Sequence, residues 1–213
     1  MWLSFAFAYL LLVALMAPFA LAGRFSGLSW VASICLAPVC GIALIAVSGI
    51  TLCALSIRTG LIGMCLASYA FALILFSILR KLRFSGACSP VLYADSQNTL
   101  ILLAVFLVVA VLFYLFFFVK PLDGPSSFIK FSDNASHLAR IETMAKDGYF
   151  STIKTGIKPI DLLSVTDAAE NIHRGYYPAG FHILSALVVG AFSVSAVVAE
   201  NVVLFFFLSV VYP

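Results

Sequence analysis

The sequence predicts an all-α fold: a polytopic transmembrane helix bundle with a surface helix in one long loop. Three observations predict it. Of 213 residues, 63% are hydrophobic and 10% charged, whereas a soluble domain carries about 25% charged residues. The apolar residues gather in runs that reach the roughly 20 residues a helix needs to cross a hydrocarbon core. The acidic residues gather as well, most of them between residues 120 and 177.

Five runs meet the length of a span: Trp2–Ala22, Trp30–Ile57, Leu61–Leu79, Thr99–Val119 and Pro178–Ala199. A sixth begins at Val202 and stops with the chain at Pro213. It is too short to span, which predicts a longer functional protein with this chain as its N-terminal part. The organisation is then residues 1–119 as N-terminal transmembrane helices, 120–177 as a loop, and 178–213 as C-terminal transmembrane helices. Pro38 and Gly41 in the second run predict a kink or a close helix contact. Gly49, Gly60 and Gly63 predict helix packing rather than a site.

Charge sets the expected orientation. Clusters of Lys and Arg stay on the cytoplasmic side, and the densest short cluster is "RKLR", Arg80 to Arg83. Placing it inside puts Arg24 inside, Arg58 and the N-terminus outside, and loop 120–177 outside. The expected localisation is the cell membrane, multi-pass, with that loop extracytoplasmic. Ala20-x-Ala22 resembles a signal-peptidase site, but no basic residue precedes the first run.

Other classes are excluded by what is missing. The net charge of +3 is dispersed, with no basic block for nucleic acid. The five cysteines, Cys35, Cys40, Cys53, Cys65 and Cys88, show neither a CxxC pair nor a His/Cys cluster. The sequence contains no GxGxxG, Walker, HExxH or GxSxG pattern.

The chemistry is concentrated in "SDNASHLARIETMAKDGYF", Ser132 to Phe150. Pro121, Gly124 and Pro125 open the loop as turn formers. A helix is predicted to start at Ser132 or Asp133 and to end at Gly148, a C′ residue. Its apolar stripe is Leu138, Ile141 and Ala145, while Asp133, His137 and Arg140 share a separate face. Such a helix lies along a membrane surface with its stripe on lipid or on the bundle. The Asp/His/Arg face is then expected to look into a cavity or solvent. Plainer roles stand beside this one: Asp133 as an N-cap, and His137 and Arg140 as a solvated face. Glu142 and Lys146 are spaced as a helix-supporting pair, and Lys130, Lys154 and Lys158 as interface or solvent residues.

A second stretch, "HRGYYPAGFHILSALVVG", runs from His173 to Gly190. Tyr176 and Tyr177 suit the aromatic belt at a membrane entry, and Pro178 the first turn of a helix. His182 falls about one turn inside, where an ionisable group faces a cavity or a partner on a neighbouring helix. Glu200 and Asn201 are expected to mark the next membrane boundary.

Together these two stretches resemble the GT-C class of membrane glycosyltransferases, which take sugars from polyprenyl-phosphate carriers, and most resemble bacterial, actinobacterial multi-spanning members. The resemblance covers about Leu115 to Leu187 and rests on an acidic residue just beyond a span, a surface helix and a Pro-containing re-entry, "YYPAGFHILSAL". It implies Asp133 as the catalytic carboxylate. It implies His137, Arg140, Tyr177 and His182 as substrate-binding residues, and membrane lipid and a polyprenyl-phosphate-linked sugar as partners. The cofactor is left unknown: some members hold a divalent metal, but the carboxylate pair that would support one is absent here because Asn134 follows Asp133. The alternatives are a transporter or flippase of envelope precursors, which predicts broken or charged helices at mid-membrane, and a non-catalytic membrane scaffold.

Overall fold

The computed structural model describes residues 2–84, 97–116, 120, 124–127, 132–151 and 180–211, and every regular element among them is helical. Three helices are long and apolar enough to cross a membrane. They are α1 (Trp2–Phe25), α2 (Trp30–Ala54) and the first part of α3 (Leu61–Phe84). Helix α4 (Gln97–Tyr114) carries a shorter apolar stretch, α5 (Ser132–Asp147) is the loop helix, and α6 (Gly180–Phe192) and α7 (Ala196–Phe206) follow. A π-helical turn, Phe207–Val211, extends α7.

The three long helices are a tight antiparallel meander because their connections are short and capped. At the end of α1, Leu28 N–H reaches back to Gly23 C=O and Gly27 takes a left-handed φ of 91°, a Schellman-type stop. Ser29 then caps α2 by accepting from Ala32 N–H. Helix α1 buries Phe5, Ala8, Leu12, Leu15, Met16 and Phe19, spaced three and four residues apart as a core-facing stripe must be. Gly41 permits the α1–α2 contact: a Cβ there would sit 2.6 Å from Met16 Sδ. Gly49 serves the same purpose elsewhere, but Gly60 meets nothing within 4 Å and is not a packing residue. The outer faces of α1–α4 keep large apolar side chains exposed, Leu10, Val39, Leu66 and Leu102 among them. A bilayer would cover these faces.

The expected fifth span is corrected. Pro178–Ala199 is not one helix, because the chain breaks between Phe192 and Ala196. Ser193 sits at φ 51° and Ser195 caps α7 by accepting from Val198 N–H. The left-handed Ser193 ends α6, and the Ser195 hydroxyl starts α7 as its cap. At 1.5 Å per residue α6 is about 20 Å long, short of a core of about 30 Å. It is nevertheless well enclosed: His182 through Val188 are all buried, with α2, α5 and α7 packed around it.

Glu200 and Asn201, expected at a membrane boundary, are both buried against protein within α7. Asn201 donates its side-chain amide to the carbonyls of Pro125 and Ser127, at 2.8 and 2.9 Å. Tyr114 O–H donates to the Asn201 carbonyl at 3.4 Å. The amide thus ties the segment after α4 to the bundle interior.

Candidate functional site

Helix α5 forms where the polar sequence pattern places it and ends at Gly148, whose φ of 69° and N–H bond to Met144 C=O make it the expected C′ residue. The apolar stripe rests on protein: Ile141 and Met144 are fully buried, and Leu138 and Ala145 pack beside them. Glu142, Lys146 and Asp147 are exposed on the opposite side.

The far end of α5 is clamped by the turn between α2 and α3. Thr59 N–H donates to Gly148 C=O at 2.9 Å, and the Arg58 guanidinium lies 5.5 Å from the Tyr149 ring centre. Phe150 then passes directly over Gly49 of α2, where a Cβ would collide with the Phe150 carbonyl oxygen. Helix α5 therefore sits at the end of the bundle that carries Arg58. Arg24 and Arg80–Arg83 lie at the other end, where α1 and α3 finish.

The near end is held by two histidines. His137 Nδ1 lies 2.7 Å from His182 Nε2, and the rings stack with planes 18° apart. One of the two nitrogens carries the proton that the pair shares, so the contact requires complementary tautomers. Of the two surroundings expected for the Asp/His/Arg face, a cavity or solvent, His137 takes neither: its half-buried side chain meets His182 on α6. Arg140, one turn on, is also half-buried. Burial, then the facing His137, then the Arg140 charge push His182 down from the usual imidazole value to about 4. His182 is accordingly neutral near pH 7.

This makes stability pH-dependent with a definite sign. The folded state keeps His182 unprotonated until about pH 4, while the unfolded chain takes up that proton near 6.5. Between those values the unfolded state binds more protons, so stability falls as pH drops through the window and levels off below it. A melting series in detergent from pH 7.5 to 4 should show this decline, at most about 1.4 kcal/mol per pH unit for one proton. His182→Asn should remove that part of the slope.

Of the residues expected to bind substrate, His137, Arg140 and His182 are thus brought together. Asp133 is the second residue of α5, about one turn before His137 along the helix. Tyr177 lies outside the described residues, as do Tyr176, Pro178, Lys130, Lys154 and Lys158. Among the described residues no three His, Cys, Asp or Glu side chains gather to hold a metal ion. Sequence reasoning missed Glu200 as a site candidate: a carboxylate buried in α7, which packs on both α5 and α6. Its signal was an acid inside an apolar run, which is costly in a membrane interior and often functional.

Residues 12–213 match the model of a family described as a family of unknown function (DUF6541). No curated protein and no solved structure matches the chain.

Proposed function

We propose, for a chain that belongs to the family of unknown function DUF6541, the role of an integral membrane glycosyltransferase that moves a sugar from a polyprenyl-phosphate donor to a cell-envelope acceptor outside the membrane. The observation that carries this reading is the His137–His182 contact of 2.7 Å. It fastens the first half of the loop helix to the bundle, so Asp133 is carried on a braced element and not on a free loop. A positioned base needs that bracing, because misplacement by about 1 Å can cost roughly 100-fold in rate.

In this mechanism the Asp133 carboxylate takes the proton from an acceptor hydroxyl as its oxygen attacks the anomeric carbon of the donor. The bond between that carbon and the phosphate oxygen breaks, and the polyprenyl phosphate leaves with the electron pair. Arg140 offsets the charge on the departing phosphate. His182, neutral and buried, fixes the orientation of His137.

The test supplies membranes containing the protein, or lacking it, with radiolabelled sugar on polyprenyl phosphate and follows label into envelope polymer. Label incorporated only where the protein is present supports the transferase. Equal incorporation in both membranes rejects it for the sugars tried. One observation favours a second reading, a flippase: the α6–α7 break with Glu200 and Asn201 buried beyond it resembles the interrupted helices of transporters. Movement of labelled carrier across proteoliposomes without sugar transfer would select that reading.

A further inference from the structure

At the end of the bundle remote from α5, the last turns of α1, the first of α2 and the last of α3 enclose an apolar groove of about 300 Å³. Its walls include Phe19, Leu36, Ala37, Ala72, Phe76 and Leu82. The wall from Ala72 to Leu82 runs about 15 Å at the rise of an α-helix. That is half of a core about 30 Å thick, the depth of a single leaflet.

The mouth of the groove carries a cation: Arg24, exposed at the end of α1, stands beside Gly23 and Leu28 of the lining. Arg24 is held in place there: its guanidinium donates to Leu28 C=O at 2.8 Å and lies 5.6 Å from the Trp30 ring centre. Two more observations refine the occupant. Ser33, one turn into α2, lines the groove, and its hydroxyl oxygen is buried with no hydrogen-bond partner among the described residues. Nothing acidic lines the groove or stands at its mouth among the described residues.

An apolar trough one leaflet deep, a polar atom one turn below the surface and a cationic rim match three parts of one molecule. They match an acyl chain, its ester carbonyl and an anionic headgroup. A polyprenyl phosphate offers the first and third but has no ester at the level of Ser33. We propose that this groove binds one acyl chain of an anionic diacyl phospholipid, with the headgroup phosphate at Arg24. This site is separate from Asp133 and does not depend on the transferase reading.

The test uses Trp2→Phe protein, which leaves Trp30 at the groove mouth as the single tryptophan. It is placed in phosphatidylcholine vesicles doped with brominated phosphatidylglycerol or brominated phosphatidylcholine, and quenching of Trp30 is recorded. One basic residue near a membrane favours anionic lipid about fivefold, so half-quenching is expected at roughly fivefold less phosphatidylglycerol than phosphatidylcholine. Arg24→Gln should bring the two lipids within about twofold. Ala72→Leu fills the groove without touching the mouth, and it should also abolish the preference, whereas diffuse surface attraction would survive it. Melting temperatures identify any variant that has simply lost its fold.

Equal quenching by the two lipids overturns the proposal, and so does a preference that persists in Ala72→Leu. Unbrominated polyprenyl phosphate displacing phosphatidylglycerol at a lower mole fraction would assign the groove to that carrier instead. A dimer that Ala72→Leu dissociates would assign it to a second copy of the chain.

Discussion

Asp133→Asn should reduce sugar transfer by about 100- to 10,000-fold, the range general-base catalysis contributes, while leaving the protein folded. The choice of asparagine separates the two roles open to this residue. Asp133 is the second residue of α5, past the cap position, where a negative charge favours the helix dipole by about 0.3–1 kcal/mol. If that is its only role, the asparagine variant loses at most that much stability and keeps its activity. If it takes a proton from the acceptor hydroxyl, the variant keeps the helix and loses the reaction, because an amide is not a base near pH 7. The measurement is label transfer from polyprenyl-phosphate sugar in membranes, normalised to protein surviving a heat challenge. Wild-type transfer in a stable Asp133→Asn protein would end the base assignment.

Gly49→Ala should lower the melting temperature and loosen α5, although Gly49 lies on α2 and contacts no proposed substrate group. Two terms oppose one another here. Alanine in a helix interior is favoured over glycine by up to about 1 kcal/mol. Against that, the new Cβ would meet the Phe150 carbonyl oxygen, a backbone atom that cannot swing aside, and would approach Ile183 Cδ1 to 3.2 Å. Forcing extra volume into a packed contact costs about 1–3 kcal/mol, so the clash wins. Phe150 directly follows the Gly148–Tyr149 clamp, and the strain is therefore expected to reach α5. Faster amide exchange over Ile141–Asp147, alongside a lower melting temperature, would confirm this. Gly60→Ala is the control: nothing lies within 4 Å of its added carbon, so its melting temperature should stay near wild type. A stabilised Gly49→Ala protein would contradict the packing described for α2.

Much of this arrangement is legible before any coordinates exist, for reasons that can be traced. The starts of α1, α2 and α3 coincide with the starts of their apolar runs, because in a membrane protein the solvent requirement acts on every residue of a span. The extent of α5 is legible because both of its ends use local chemistry, a polar start and a left-handed Gly148. What was not legible depends on partners distant in sequence. The break at Ser193–Ser195 hides inside a run whose hydropathy is uninterrupted, since hydropathy does not register a capping hydroxyl. Asn201 reads as a boundary residue until Pro125 and Ser127 are seen to supply acceptors for its amide. His137 shares a helical face with Asp133 by spacing alone, and only the position of α6 turns that face inward to His182.

The contact between Tyr9 and Ser209 has a consequence for how the chain is made. Their hydroxyls meet at 3.1 Å although 200 residues separate them, and the Tyr9 ring lies tilted 4.7 Å from that of Phe205. A ribosome adding about 5–20 residues per second needs roughly 10–40 s to make that much chain. Throughout that interval α1 can pack on α2 and α3, but its Tyr9 face lacks the partner it is shaped to meet. That tyrosine must be sheltered by lipid, by the insertion machinery or by a temporary neighbour until α7 emerges. Translation stalled before Phe205 would release a polypeptide whose α1 is only partly matched.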